Sequence, residues 1–309
     1  MQGRIKTRLV FTVAALLALP AVPAAAKTFK ELFPNAKFEN PKATELAEGF
    51  DYQQGPVSLL GLGIKMAVPA DYYFFGETDS RRMLTEVWGN PPGSADAVRG
   101  MILPSSHTPL DETWAAVLTY DDDGYVSDED AKKMDYPELL KTMQESTAEA
   151  SKERATSGYG TMKLIGWAQP PFYDPVTHKL HWAKEIEFDG KSPHTLNYDV
   201  RALGRKGVLK MNFVADMGQL DEIQKVIPTV MAMPEFQQGF RYADYVPSTD
   251  KLAAYGIGGL IAGKVAAKLG LLALGLVFLK KGFVLVLLAV GALWKGITSL
   301  FSRRGSKPE

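Results

Sequence analysis

Residues 178–215 read HKLHWAKEIEFDGKSPHTLNYDVRALGRKGVLKMNFVA, and this stretch decides the fold class. Across 178–188, Leu180, Trp182, Ile186 and Phe188 alternate with His181, Ala183, Glu185 and Glu187. Across Thr195–Leu203, Leu196, Tyr198 and Val200 alternate with Thr195, Asn197, Asp199 and Arg201. A period of two marks a strand with one dry and one wet face. Gly204-Arg205-Lys206-Gly207 then closes a tight hairpin into a further strand over 208–215. A fourth strand is read upstream, over 161–168. Consecutive hairpins of this kind build an antiparallel sheet.

Outward from the meander, short strands are read at Ile64–Val68 and Tyr72–Phe75, about the turn Pro69-Ala70-Asp71, and over 98–103 and 113–120. Asp79 is read as the cap of a helix carrying Met83, Leu84, Val87 and Trp88 on one side, stopped by Gly89-Asn90-Pro91-Pro92. A second helix follows Tyr136, with Pro137 in its first turn, Leu139, Leu140 and Met143 on one face, and Gly158 at its end. A third, over 220–233, offers Ile223, Val226, Ile227 and Val230, with a kink expected at Pro228. Residues 27–55 read as a loosely structured lead-in and 56–250 as a single domain. The expected architecture is α+β: an antiparallel sheet with helices packed on one face, plus a C-terminal transmembrane helix or helical hairpin.

The 309-residue chain has no cysteine, which removes disulfides, thiol nucleophiles, iron–sulfur clusters and cysteine zinc sites. Its formal charge of zero conceals an uneven distribution. Residues 1–26 hold three bases and no acid, and 251–309 hold nine bases and one acid, which leaves 23 bases against 34 acids in 27–250. A net charge of −11 argues against nucleic acid as a partner, since that needs a basic surface to displace counterions.

Both ends carry location signals. Arg4, Lys6 and Arg8 precede an apolar run over 9–19 and then Ala24-Ala25-Ala26, the three parts of a cleavable secretory signal. Residues 282–301 form an apolar run charged only at Lys295, with Trp294 suited to an interface and Arg303-Arg304 beyond it, as in a membrane span. The preceding stretch, 257–279, contains Lys264 and Lys268 and is read either as a second span or as a segment at the outer interface. Gly259, Ala262, Gly263, Ala266 and Gly270 share one helical face there. The expectation is a protein of the bacterial inner membrane, anchored by 251–301 with a basic tail over 302–309, its main domain in the periplasm, and the bilayer as its first partner.

Three constellations have chemical potential. On the calcium-loop template, with Gly124 at the sixth position, Asp121, Asp123 and Asp130 occupy ligand positions, although Thr119 is a poor first ligand. A turn at Asp123-Gly124, followed by Ser127 capping a short helix, accounts for the same residues without a cation. Second, the wet face of the meander is expected to gather Glu185, Glu187, Asp199, Arg201 and His181, which is acid–base equipment if the groups converge and an ordinary solvated face if they do not. Third, Trp167, Phe172 and Tyr173, around Pro170-Pro171, form either an aromatic contact loop or packing at a sheet edge. His178 and His181, three apart on a strand, leave on opposite faces and are poorly placed for zinc. No G-x-S-x-G elbow, P-loop or dinucleotide fingerprint occurs.

Several strings together carry a resemblance. They are Trp88-Gly89-Asn90-Pro91-Pro92, Asp123-Gly124-Tyr125-Val126-Ser127-Asp128, Gly166-Trp167-Ala168, Leu196-Asn197-Tyr198, Val200-Arg201-Ala202-Leu203-Gly204-Arg205 and Arg241-Tyr242-Ala243-Asp244. In order and spacing, from roughly residue 55 to 280, the chain resembles a bacterial family of uncharacterised membrane-anchored proteins defined by a domain of unknown function. The resemblance implies an exported domain followed by C-terminal membrane helices, and it brings no activity and no catalytic residue. The resulting expectation is a non-enzymatic module that binds an envelope protein or organises the envelope. The alternatives are a hydrolase using Glu185, Asp199, Arg201 and His181, or a small-ligand or calcium-binding domain using the 121–130 loop.

Overall fold

The meander is the middle of a larger sheet. The computed structural model describes residues 26–263, apart from 91 and 159. The expected signal segment and the run over 282–301 lie outside the described residues, except for Ala26. Among the described residues no helix is long and apolar enough to cross a membrane.

The lead-in is built into the fold. Strand β1 (Ala26–Lys27) straddles the expected cleavage point and pairs with β2 (Tyr52–Gln53). Between them lie α1 (Phe29–Leu32), closed by a Thr28–Glu31 capping box, and α2 (Pro41–Glu48), capped by Asn40 with Pro41 in its first turn. The cause of this order is aromatic: Phe33 meets Tyr73 at 5.8 Å and Phe50 stacks on Phe75 at 4.8 Å between ring centres.

Next come β3 (Gly55–Leu59), β4 (Ile64–Val68), β5 (Tyr72–Phe75) and helix α3 (Glu77–Arg82), which runs on into a π turn over Met83–Val87. Asp79 is inside this helix rather than at its cap. Its carboxylate accepts from the Asp51 backbone at 3.0 Å, tying α3 to the lead-in. Strands β6 (Val98–Pro104) and β7 (Ala115–Asp121) precede the long helix α4 (Tyr136–Thr156). The meander itself is β8 (Met162–Asp174), β9 (Lys179–Phe188), β10 (Thr195–Leu203) and β11 (Val208–Asp216). The chain closes with α5 (Leu220–Ala232), unbroken through Pro228, then β12 (Pro234–Phe236) and α6 (Ile257–Ala262).

Among the described residues nine strands form one antiparallel sheet in the order β1-β2-β5-β6-β7-β11-β10-β9-β8, and β12-β4-β3 form a second. Helices cover both faces of the large sheet, not one. On the first face, Leu196, Tyr198, Val200, Met211 and Phe213 pack against the small sheet and against Ile223, Ile227 and Val230 of α5. On the second face, two separate clusters form. The lead-in, α3 and its π turn cover the β5–β6 side, while α4 and α6 cover Leu164, Leu180 and Trp182 on the β8–β9 side. The middle strands of that face, β7, β11 and β10, are left between them as the floor of a trough.

The outer strand β8 runs past its expected end at Ala168, through Pro170-Pro171, with bulges opposite β9. Its exposed edge is guarded. Gln144 of α4 donates to the Leu164 and Ile165 carbonyls at 3.3 and 3.1 Å, and Ser151 accepts from the Met162 amide at 2.9 Å. The two prolines occupy the stretch beyond, where an edge tolerates missing donors.

Candidate functional site

The register of the meander places the candidate residues. Thr195–Leu203 pairs with β9 so that Asp199 stands opposite Trp182 and Leu196 opposite Glu185, and with β11 so that Arg201 stands opposite Lys210. Residues directly opposite share a face. Asp199 and Arg201 therefore point into the trough with Lys184, Lys210 and Asn212, while Glu185, Glu187 and His181 leave on the other face. The expected gathering of five polar groups is thus divided between the two sides of the sheet. The physical reason is that the dry faces of β9 and β10 are opposite faces of the sheet: Leu180 and Trp182 pack under α4 and α6, Leu196 and Tyr198 under the small sheet.

In the trough, Asp199 is only 2% exposed. Its Oδ1 accepts from Arg201 Nη2 at 2.8 Å and Asn212 Nδ2 at 3.0 Å, and Lys184 Nζ stands 2.9 Å from Oδ2. Burial pushes the Asp199 carboxyl up, but the charges of Lys184 and Arg201, with hydrogen bonds from Lys184 and Asn212, outweigh it and hold the group at about 2. Arg201 is fixed from three sides. Its Nη1 donates to the Val200 carbonyl at 3.0 Å, its Nη2 to Asp199, and its guanidinium lies 4.9 Å over the Trp182 ring. Its Nε finds no hydrogen-bond partner among the described residues.

Above this network a cleft of about 560 Å³ opens, walled by Leu84 and Trp88 from the π turn region and by Asn90 and Ser94. The π turn closes through a Trp88 N–H bond to the Met83 carbonyl at 3.0 Å. Two smaller hollows, of about 360 and 320 Å³, adjoin at Arg201 and reach Leu260 and Gly263 of the C-terminal segment.

On the opposite face, His181 is paired with Tyr198 (Nδ1 to hydroxyl, 3.0 Å), and burial holds its pKa below the ordinary value. Burial raises that of Tyr198 to about 12. Glu185 meets His194 Nδ1 at 2.6 Å, with Glu187 3.6 Å from His194 Nε2. Trp167 and Tyr173 pack in the cluster beneath α4, whereas Phe172 is 56% exposed.

The acidic loop has a different occupation from the calcium template. Asp121 pairs with Lys210 at 2.9 Å, Asp123 accepts from the Tyr255 hydroxyl at 2.5 Å, and Asp130 accepts from the amides of Ile257 and Gly258 at 2.9 and 3.0 Å. The three carboxylates turn to three different partners. Among the described residues no group of three or more His, Asp or Glu is placed to hold a metal ion.

The partners of this loop belong to the segment 251–263, here called the neck. Tyr125 and Leu252 form a parallel bridge, through bonds from the Tyr125 amide to the Lys251 carbonyl and from the Ala253 amide to the Tyr125 carbonyl, both 2.8 Å. Gly124 is required there, with φ of 113° and no room for a Cβ against the Lys251 carbonyl. Ile257, Leu260 and Ile261 are buried with Val126, Met143 and Trp182. So the first seven residues of the stretch read as a possible second span, 257–263, are packed on the domain, and the core reaches past the boundary expected at 250.

Lys184, Lys210 and Asn212 were not among the candidates from sequence. The hairpin over 204–207 contains the missing information, because a tight turn fixes register and so places Lys210 beside Arg201 and Asn212 beside Asp199.

The architecture defines a class: an α+β sheet domain with a charged trough on one face and a C-terminal neck locked to an acidic loop. A family model described as "Protein of unknown function (DUF2167)" matches residues 51–291, and the chain belongs to that family. No curated protein matches it. Among solved structures, it is similar to the solution structure of cyanobacterial PsbP (CyanoP) from Synechocystis sp. PCC 6803, at 10% identity and a TM-score of 0.34, covering 59% of this chain and 91% of that one.

Proposed function

We propose that this protein is an exported, membrane-anchored binding module of the bacterial envelope, without catalytic chemistry of its own. The observation that carries this reading is the locked neck. The segment that leads into the apolar C-terminal region is held by Asp123, Tyr125 and Asp130, so the trough keeps a fixed orientation relative to the point where the chain leaves the domain. Orientation of that kind serves a module that presents a surface. The signal-like residues 1–26 and the apolar run over 282–301 support export and anchoring.

A hydrolase has less support. Asp199 stays ionised at any physiological pH, so it neither donates nor takes up a proton there. Glu185 and His181 lie across the sheet from it, each with its own partner. The test is fractionation of cells expressing the full chain. The protein should remain with the membranes through an alkaline wash and be digested by protease added outside spheroplasts. Deleting 264–309 should release it. A freely soluble full-length product that retains residues 1–26 overturns the reading.

A further inference from the structure

The trough has a cationic excess that neither anchoring nor folding uses. On one rung of the sheet, Arg201, Lys210 and Thr119 stand side by side on β10, β11 and β7. Adjacent strands lie roughly 4.8 Å apart, so the row presents donors across about 10 Å. The counter-charge beneath them is already consumed, since both Asp199 oxygens are engaged by Lys184, Arg201 and Asn212. Asp121, paired with Lys210, is the second acid at the row. Three cations against two carboxylates make this spot positive on a domain whose residues 27–250 are net negative.

We propose that the trough binds an amphipathic anion, its phosphate or carboxylate on the Arg201–Lys210–Thr119 row and its apolar part against Leu84, Trp88 and Val117. Arg201 is preorganised for this, because Asp199, the Val200 carbonyl and the Trp182 ring hold its guanidinium before any ligand arrives. Arg201 lines the cleft with 11% of its side chain exposed, and Lys210, 27% exposed, carries three donors to divide between Asp121 and a ligand. The apolar requirement follows from the charge of the whole domain. A small hydrophilic anion is repelled on approach and gains only the row, whereas one with an apolar part also buries its surface against the wall. A volume of about 560 Å³ accommodates such a ligand.

The proposal deepens the reading of the trough as a binding surface. Its test is titration of the full-length protein in an uncharged detergent, followed by calorimetry and thermal shift. The probes are dihexanoyl phosphatidate, octanoate, inorganic phosphate and uncharged dihexanoylglycerol. At least one amphipathic anion should bind saturably, with inorganic phosphate about tenfold weaker and the uncharged lipid not binding. Lys210→Gln and Thr119→Val, which leave the Asp199 network intact, should each weaken binding by about tenfold, the worth of one charge-assisted or polar hydrogen bond. Arg201→Gln should abolish it. Binding of neither amphipathic anion, or binding unchanged in Lys210→Gln and Thr119→Val, overturns the proposal. Full-length protein reconstituted into neutral vesicles with and without long-chain phosphatidate separates the sources: probe binding lost when phosphatidate is present assigns a lipid headgroup, and probe binding unaffected by it assigns a free amphiphile, both supporting the site. If the protein fails to fractionate with membranes yet binds the probe, anchoring falls and the site stands.

Discussion

At Asp199 a carboxylate with almost no water contact neutralises two cations, so removing its charge leaves Lys184 and Arg201 facing each other across the trough floor. Breaking a buried pair from one side costs about 3–5 kcal/mol. Here the cost is smaller, about 2 kcal/mol, because Lys184 keeps 21% of its side chain in water. Asp199→Asn should lose that amount in urea denaturation at neutral pH. The sign of the pH dependence follows from the depressed pKa. The contribution is complete above the ordinary carboxyl value of 3.8 and disappears as pH falls towards about 2, so the wild-type and Asp199→Asn curves should converge over that window. The sequence shows Asp199 as one polar position among four in an alternating strand, which reads as wet. It is buried because Lys184, Arg201 and Asn212 close around it, and two of these three neighbours come from the adjacent strands β9 and β11 rather than from the sequence beside it.

At the scale of elements, the strands were legible and their relation to one another was not. Thr195–Leu203 has the same limits in sequence and structure, because period two and the flanking turns are local. Which face of β9 joins which face of β10 depends on the loop between them, and a slip of one residue there exchanges the two faces. The neck was harder still, since Tyr255, Ile257 and Gly258 find their acidic partners 132, 127 and 128 residues away in sequence. Its docking makes two predictions. Asp130→Ala removes the acceptor for two amides at the start of α6, a loss of about 1 kcal/mol or more. Hydrogen exchange should then accelerate at Ile257–Ala262 while the amides of β10 stay protected. Gly124→Ala should loosen the same segment from its other end, because a Cβ there meets the Lys251 carbonyl, and proteolysis near Leu252 should report it.

For the molecule as a whole, the neck belongs to the folded body. Ile257, Leu260 and Ile261 are each under 9% exposed, and burying side chains of this size contributes about 2 kcal/mol apiece. A chain ended at Asp250 should therefore be less stable than one ended at Gly263 by about 5 kcal/mol, or ~10 °C or more in melting temperature. Equal melting temperatures would show that the neck adds nothing to the fold. The outer strand β8 bears on how copies of the protein meet. At high local concentration a long open strand invites neighbours to zip together into fibres. With Gln144 and Ser151 occupying its backbone groups and two prolines interrupting the rest, this chain can stand shoulder to shoulder with its copies and stay separate.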